Sequence, residues 1–159
     1  MPRIVSNTTP LISLMKISQI EILKKIYSEI VIPEAVYKEI EAGKHKEFYR
    51  DLSKIDWIKI QSIKDKHSID YFLDLDVGEA EAIILATEIG ADLIIMDEKL
   101  GRLHAKKAGI KVTGTIGVLI KAKEMGLIPK LRPLLLQLTK KNIWISDVLI
   151  SQVCKTVDE

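Results

Sequence analysis

The chain has 159 residues, 47% hydrophobic and 29% charged, a balance that buries a core and excludes a disordered chain. No apolar run approaches the ~20 residues of a membrane span, no signal-peptide pattern opens MPRIVSNTTPLI, and a single cysteine excludes an internal disulfide and fits a reducing cytoplasm. Net charge is only +2, yet residues 99–141 hold eleven basic residues against Glu124 alone, so this stretch carries +10 and the remainder −8; such polarity suits a face that meets phosphates or, equally, lysines dotting the outer sides of amphipathic helices.

Residues 3–6 read as a first buried strand. It ends at Asn7-Thr8-Thr9-Pro10, a strand-to-helix turn whose Asn and Thr suit capping and whose proline suits a first helical position. Residues 11–25 have helical period, with a break near Ser18 that divides them into two short helices. A short strand over 29–32 precedes a helix opened by Pro33, running to about 42 and stopped by Gly43. Residues 44–55 read as helical and polar, 57–61 alternate like a half-buried strand, and 63–76 read as a linker. A strong helix spans 78–88 and is closed by Gly90. Residues 93–96 form a buried strand ending at Asp97, followed by a helix over 98–108 and a short strand at 111–113. Helices near 115–125 and 130–140 follow. Ser146 caps a final helix with Asp147 in its first turn. This alternation predicts one α/β domain over 1–159, with a central parallel sheet covered by helices on both faces. Reactive groups then belong at the carboxyl ends of the strands.

Asn7 ends the first strand and Asp97 a later one, so neighbouring strands bring them into one cleft. Glu79 and Glu81 stand early in GEAEAI, on the helix before the Asp97 strand, and Glu39 lies on the helix opened by Pro33. Carboxylates gathered from several elements, with no His or Cys among them, suit the hard cations Mg²⁺ or Mn²⁺. Such ions bridge to phosphates and activate water. Each acid also has an ordinary explanation: Glu39 as a solvated helix residue, Glu79 as an acid favoured at a helix N-terminus. Asp97 closes an apolar strand and is harder to explain by solvation. The collective spacing carries the reading.

Taken in order, IVSNTTPLISL, VIPEAVYKEI, DVGEAEAIILATEIGADLIIMDEKLGR and AGIKVTGTIGVLIKAKEMGLI resemble the PIN-domain nucleases, most of all a mainly archaeal and bacterial subgroup of predicted nucleic-acid-binding PIN proteins. The resemblance runs from Ile4 to about Val153. It implies a PIN-like fold, Mg²⁺- or Mn²⁺-dependent cleavage of RNA and frequent homodimers. Many members are toxins of toxin–antitoxin pairs, so an antitoxin protein is an implied partner. By motif, Asn7 takes the place of the family's first aspartate, Glu39 matches the glutamate of the second helix, Glu79 the third acid and Asp97 the fourth. Glu81 competes with Glu79 for the third place. Glu98 is placed to assist, and Thr8 and Thr9 fall where the family has a hydroxyl near the metal or water.

Asn7 departs from that pattern. Its amide oxygen can ligate a hard cation but brings no negative charge. Two readings follow. In one, Glu81 or Glu98 compensates and the protein is a slow or selective nuclease. In the other, the site is degenerate and the fold serves as an RNA- or protein-binding module.

Lys99, Arg102, Lys106 and Lys107 lie on the helix just after Asp97, where they can guide a phosphate chain into the cleft. His45, His67 and His104 lack metal-ligand spacing and read as surface residues. Cys154 reads as a small core residue, and Trp57 and Trp144, each beside isoleucines, read as packing residues. The stripe Leu131, Leu134, Leu135, Leu138 has helical spacing and suits a core or a dimer interface. GTIGVL lacks the Gly-Lys-Ser/Thr ending of a phosphate loop, and no GxSxG nucleophile motif is present.

Overall fold

The computed structural model describes residues 2–159. Strands β1 (Ile4–Ser6), β2 (Ile30–Pro33), β3 (Ile58–Gln61), β4 (Leu93–Ile95) and β5 (Val112–Thr113) form an all-parallel sheet in the order β3-β2-β1-β4-β5. The helices are α1 (Thr8–Lys16), α2 (Glu21–Tyr27), α3 (Glu34–Ala42), α4 (Val77–Ile89), α5 (Lys99–Lys107), α6 (Thr115–Glu124), α7 (Arg132–Lys140) and α8 (Asp147–Thr156). Successive strand residues point to opposite faces. Ile4, Ile30, Ile32 and Ile95 therefore enter one core, while Val5, Val31 and Ile94 enter the other. The first core is completed by α1, α2, α3, α6, α7 and α8, the second by α4 and α5. Coverage on both faces is the reason β4 reads as an unbroken apolar run instead of an alternating one.

The chain leaves β1 toward β2 and β3, then returns to lay β4 on the other side of β1. That reversal opens a crevice at the carboxyl ends of β1 and β4, where α/β sheets carry their ligands. Val5 pairs with Ile94 and Ser6 with Ile95. The same register sets Asn7 and Asp97 at the crevice.

Local chemistry explains most element ends. Ser18 adopts a positive φ of 55° between α1 and α2, and Gly90 closes α4 with φ +63°, a backbone that costs a side chain roughly 1 kcal/mol. Ser146 caps α8 by accepting from the Leu149 N–H at 3.1 Å. Cys154 and the Leu131, Leu134, Leu135, Leu138 stripe are buried in the first core of the chain itself. Among the described residues, no helix is long and apolar enough to cross a membrane.

Several sequence expectations need correction. Helix α1 begins at Thr8, so Pro10 is its third residue, and the Asn7 side chain makes no capping hydrogen bond. Residues 44–55 are not an α-helix. The Asp51 carboxylate accepts from both the N–H and the hydroxyl of Ser53, a local turn that competes with helical pairing and leaves only a 3₁₀ turn, Leu52–Lys54. The expected linker at 63–76 carries a 3₁₀ helix, Lys66–Tyr71, and Glu88 ties it to α4 by accepting from the N–H groups of Lys64 and Asp65. Trp57 is buried as expected, but Trp144 is 85% exposed. His104 is held at 2.8 Å by Asp74 and packs edge-on against Phe72, so it is not a free surface group.

Candidate active site

Asn7 follows β1 directly. Its N–H donates to the Ile95 carbonyl at 2.9 Å, which extends the sheet by one rung and brings its side chain beside the end of β4. Thr8 follows as the first residue of α1, buried like Asn7, whereas Thr9 is exposed. Asp97 lies two residues past β4. Its carboxylate is held by Thr115 at the start of α6, through the backbone N–H at 2.7 Å and the hydroxyl at 2.6 Å. A Cβ built on Gly114 would meet Asp97 Oδ1 at 2.6 Å and Arg102 Nη1 at 2.9 Å, so a larger residue there would displace these side chains. Arg102 itself is anchored by donating to the Met96 carbonyl at 3.1 Å.

The remaining acids come from α3 and α4. The Glu39 carboxylate lies directly over Gly78, where a side-chain carbon would overlap it, and next to Thr8. Desolvation, reinforced by the charge of Asp76, raises the pKa of Glu39 despite its neighbours Thr8 and Gly78. Glu79 is only 8% exposed. Burial pushes its carboxyl up to about 8, and the neighbouring carboxyl of Asp76 and the charge of Glu98 add to the effect. Asp76 caps α4 by accepting from the Glu79 N–H at 2.7 Å.

Glu81 goes elsewhere. Its carboxylate accepts from the Ala35 N–H at 3.1 Å and so secures the first turn of α3. Two residues apart on one helix, Glu79 turns inward and Glu81 toward α3. Glu39 thus neighbours Thr8 and Asp76, Glu79 neighbours Asp76 and the exposed Glu98, and Asn7 and Asp97 stand past the ends of adjacent strands, while Glu81 is withdrawn. Sequence reasoning passed over Asp76 and Thr115. Asp76 had a legible signal, since an acid three residues before Glu79 at the head of an apolar helix is a capping pattern. Thr115 had none beyond its position after Gly114.

Three buried oxygens find no hydrogen-bond partner: Asn7 Oδ1, Thr8 Oγ1 and Glu79 Oε2. Each such orphan costs about 1–3 kcal/mol, and buried polar atoms are otherwise nearly always paired. Thr8 stands beside the Glu39 carboxyl and Glu79 beside that of Asp76, which leaves Asn7 Oδ1 with the least help from the chain itself. All donors are hard oxygens, the type that suits Mg²⁺ or Mn²⁺. Among the described residues, no three His, Cys, Asp or Glu side chains converge closely enough to enclose an ion. The set fits the habit of Mg²⁺, which takes one or two carboxylates and fills its other positions with water and phosphate.

The crevice continues into a groove of about 610 Å³ along α5, lined by Asp97, Glu98, Lys99, Leu100, Arg102, Leu103 and Lys106. Lys107 is exposed in the last turn of α5, outside that lining. The groove's basic side chains, Lys99, Arg102 and Lys106, outnumber its two acids, Asp97 and Glu98, by one. A family model described as a PIN domain matches residues 3–159. No curated protein matches the chain.

Proposed function

The chain belongs to the PIN-domain family, and from that membership we propose that it is a Mg²⁺- or Mn²⁺-dependent ribonuclease acting at the β1–β4 crevice. The observation that carries this reading is the set of buried oxygens on Asn7, Thr8 and Glu79 that make no hydrogen bond, on residues at the end of β1 and the starts of α1 and α4. One or two of the carboxylates of Asp97, Glu79 and Glu39 would hold the cation, Asn7 would lend a neutral oxygen, and Glu98 would add charge from the rim. When bound, the cation polarises a phosphate oxygen and lowers the pKa of water.

The chain's own groups do the positioning. Thr115 fixes both oxygens of Asp97. Arg102, tethered on Met96, presents its guanidinium at the mouth of the crevice, and Lys99 and Lys106 extend the positive track along α5. The hydroxyls of Thr8 and Thr9 lie at the start of α1, where Thr8, beside the Glu39 carboxyl, would orient a water or a phosphate oxygen. The test is incubation of labelled RNA with the purified protein, with added Mg²⁺ or Mn²⁺, and then with chelator. Cutting that appears with metal and stops with chelator supports the reading, while cutting indifferent to chelator defeats it.

Asn7 favours a second reading, an RNA- or protein-binding module with a weakened site. Under it, RNA binding weakens steeply with salt and no cleavage occurs until Asn7→Asp restores a charge. As a toxin of a toxin–antitoxin pair, the protein would also bind an antitoxin and form a homodimer. Sedimentation of the purified chain as a monomer at all concentrations would remove the dimer from this account.

A further inference from the structure

We propose that the outward side of α8 is a docking surface for a second copy of this chain, packed antiparallel about a two-fold axis at Ser151. This rests on the homodimer of the preceding reading and gives it a definite surface; its test does not depend on cleavage. Helix α8 turns Ile150, Val153 and Cys154 into the first core. Its opposite side carries a shallow groove of about 340 Å³ lined by Asp147, Val148, Ser151, Gln152 and Lys155, all of them exposed. Val148 is 66% exposed there, and Trp144, two residues before the Ser146 cap, is 85% exposed. Large apolar groups left in water at one end of a helix suit a partner.

The charges on this side select the partner. Asp147 stands four residues before Ser151 and Lys155 four residues after it, so each lies about 6 Å along the helix from Ser151, in opposite directions. At about 12 Å along one helix they do not pair with each other, and neither forms an ion pair elsewhere among the described residues. An antiparallel copy sets Asp147 opposite the partner's Lys155, and Lys155 opposite the partner's Asp147, the self-complementary pattern of a two-fold dimer. The small Ser151 at the axis lets the two helices approach. Val148 and Trp144 then meet the closing turn of the partner's α8. Nucleic acid would meet Asp147 with the wrong sign, and a protein patch of a single sign would satisfy only one of the two charges. Helix α8 covers the sheet face opposite α4 and α5, so this pairing leaves the α5 groove open in both copies.

Sedimentation of the full chain is followed from about 1 µM to about 1 mM, the range in which a small interface associates. The wild type is expected to dimerise within it, and quenching of the exposed tryptophan by acrylamide to fall as it does. Asp147→Lys and Lys155→Glu each set like charges face to face and should weaken the dimer roughly tenfold or more, with melting temperature as the control for folding. Val148→Lys should weaken it likewise without altering either charge. Mixed in equal amounts, Asp147→Lys and Lys155→Glu should pair with each other, because each supplies the charge the other lacks. A dimer undiminished in these variants, or a mixture no better than its components, overturns this surface and leaves a homodimer through another face. A wild type monomeric at every concentration overturns the surface and the homodimer together. Neither result bears on metal-dependent cleavage.

Discussion

At the scale of the residue, Glu79 makes the sharpest prediction. Its folded carboxyl is pushed up to about 8 from 4.5 by burial first, then by Asp76 and Glu98. A raised acid holds its proton more tightly when folded. Its contribution is therefore fully present below pH 4.5 and lost as pH rises toward about 8. Glu79→Gln should remove that loss, so thermal melts of the variant should decline less between these values than those of the wild type. Metal binding must displace the same proton, so Mn²⁺ affinity should climb with pH in the wild type and flatten in Glu79→Gln. A wild-type affinity independent of pH from 5 to 8 would contradict the assignment. The sequence made Asp97 and Asn7 legible because each ends an apolar strand. It left Glu79 and Glu81 as rivals because both sit in the first two turns of α4. Only packing against α3, through the Ala35 N–H, separates them.

At the scale of the element, Gly114 and Glu159 show how ends of helices build the site and the core. Gly114 lets the start of α6 approach Asp97 and Arg102. Gly114→Ala should push the Asp97 carboxylate off Thr115, with RNA cleavage falling tenfold or more while circular dichroism stays unchanged (an order-of-magnitude expectation for a displaced ligand). Glu159 does for α7 what a cap residue does. Its carboxylate accepts from the N–H groups of Leu131 at 2.6 Å and Arg132 at 3.2 Å, with Lys123 at 3.7 Å. Burial opposes ionisation, but those N–H groups and the charges of Lys123 and Lys130 hold its pKa below the usual 4.5. That stabilisation is present above pH 4.5 and fades as pH falls below it through the lower folded value. Glu159→Gln should cost about 1 kcal/mol near neutrality, read as a lower melting temperature whose deficit shrinks in acid. Strongly periodic helices such as α4 were readable. Residues 44–55 misled because Phe48, Leu52 and Ile55 mimic helical spacing, while Asp51 and Ser53 favour a turn.

At the scale of the whole molecule, the basic stretch divides. The charges of α5 line the groove that enters the crevice. Lys140 and Lys141, at the end of α7, lie by Lys16 at the far end of α1, where the Lys16 ammonium donates to the Lys141 carbonyl. Lys121 lies over the Tyr27 ring and Lys123 donates to the Pro129 carbonyl. The +10 of the sequence is thus not one face, a division that composition cannot convey. Neutralising Lys99 and Lys106 should weaken RNA binding and lower its salt slope by roughly one unit or more; neutralising Lys140 and Lys141 should leave both nearly unchanged. Equal effects from the two pairs would contradict the groove.

The sheet order makes the β1–β4 crevice the centre of the account, because it sets Asn7 and Asp97 past the ends of adjacent strands. The direct test is the rate at which Asp97→Asn cleaves labelled RNA in saturating Mn²⁺. The account predicts a fall on the order of a hundredfold or more in a protein that still folds. Cleavage at the wild-type rate would contradict it.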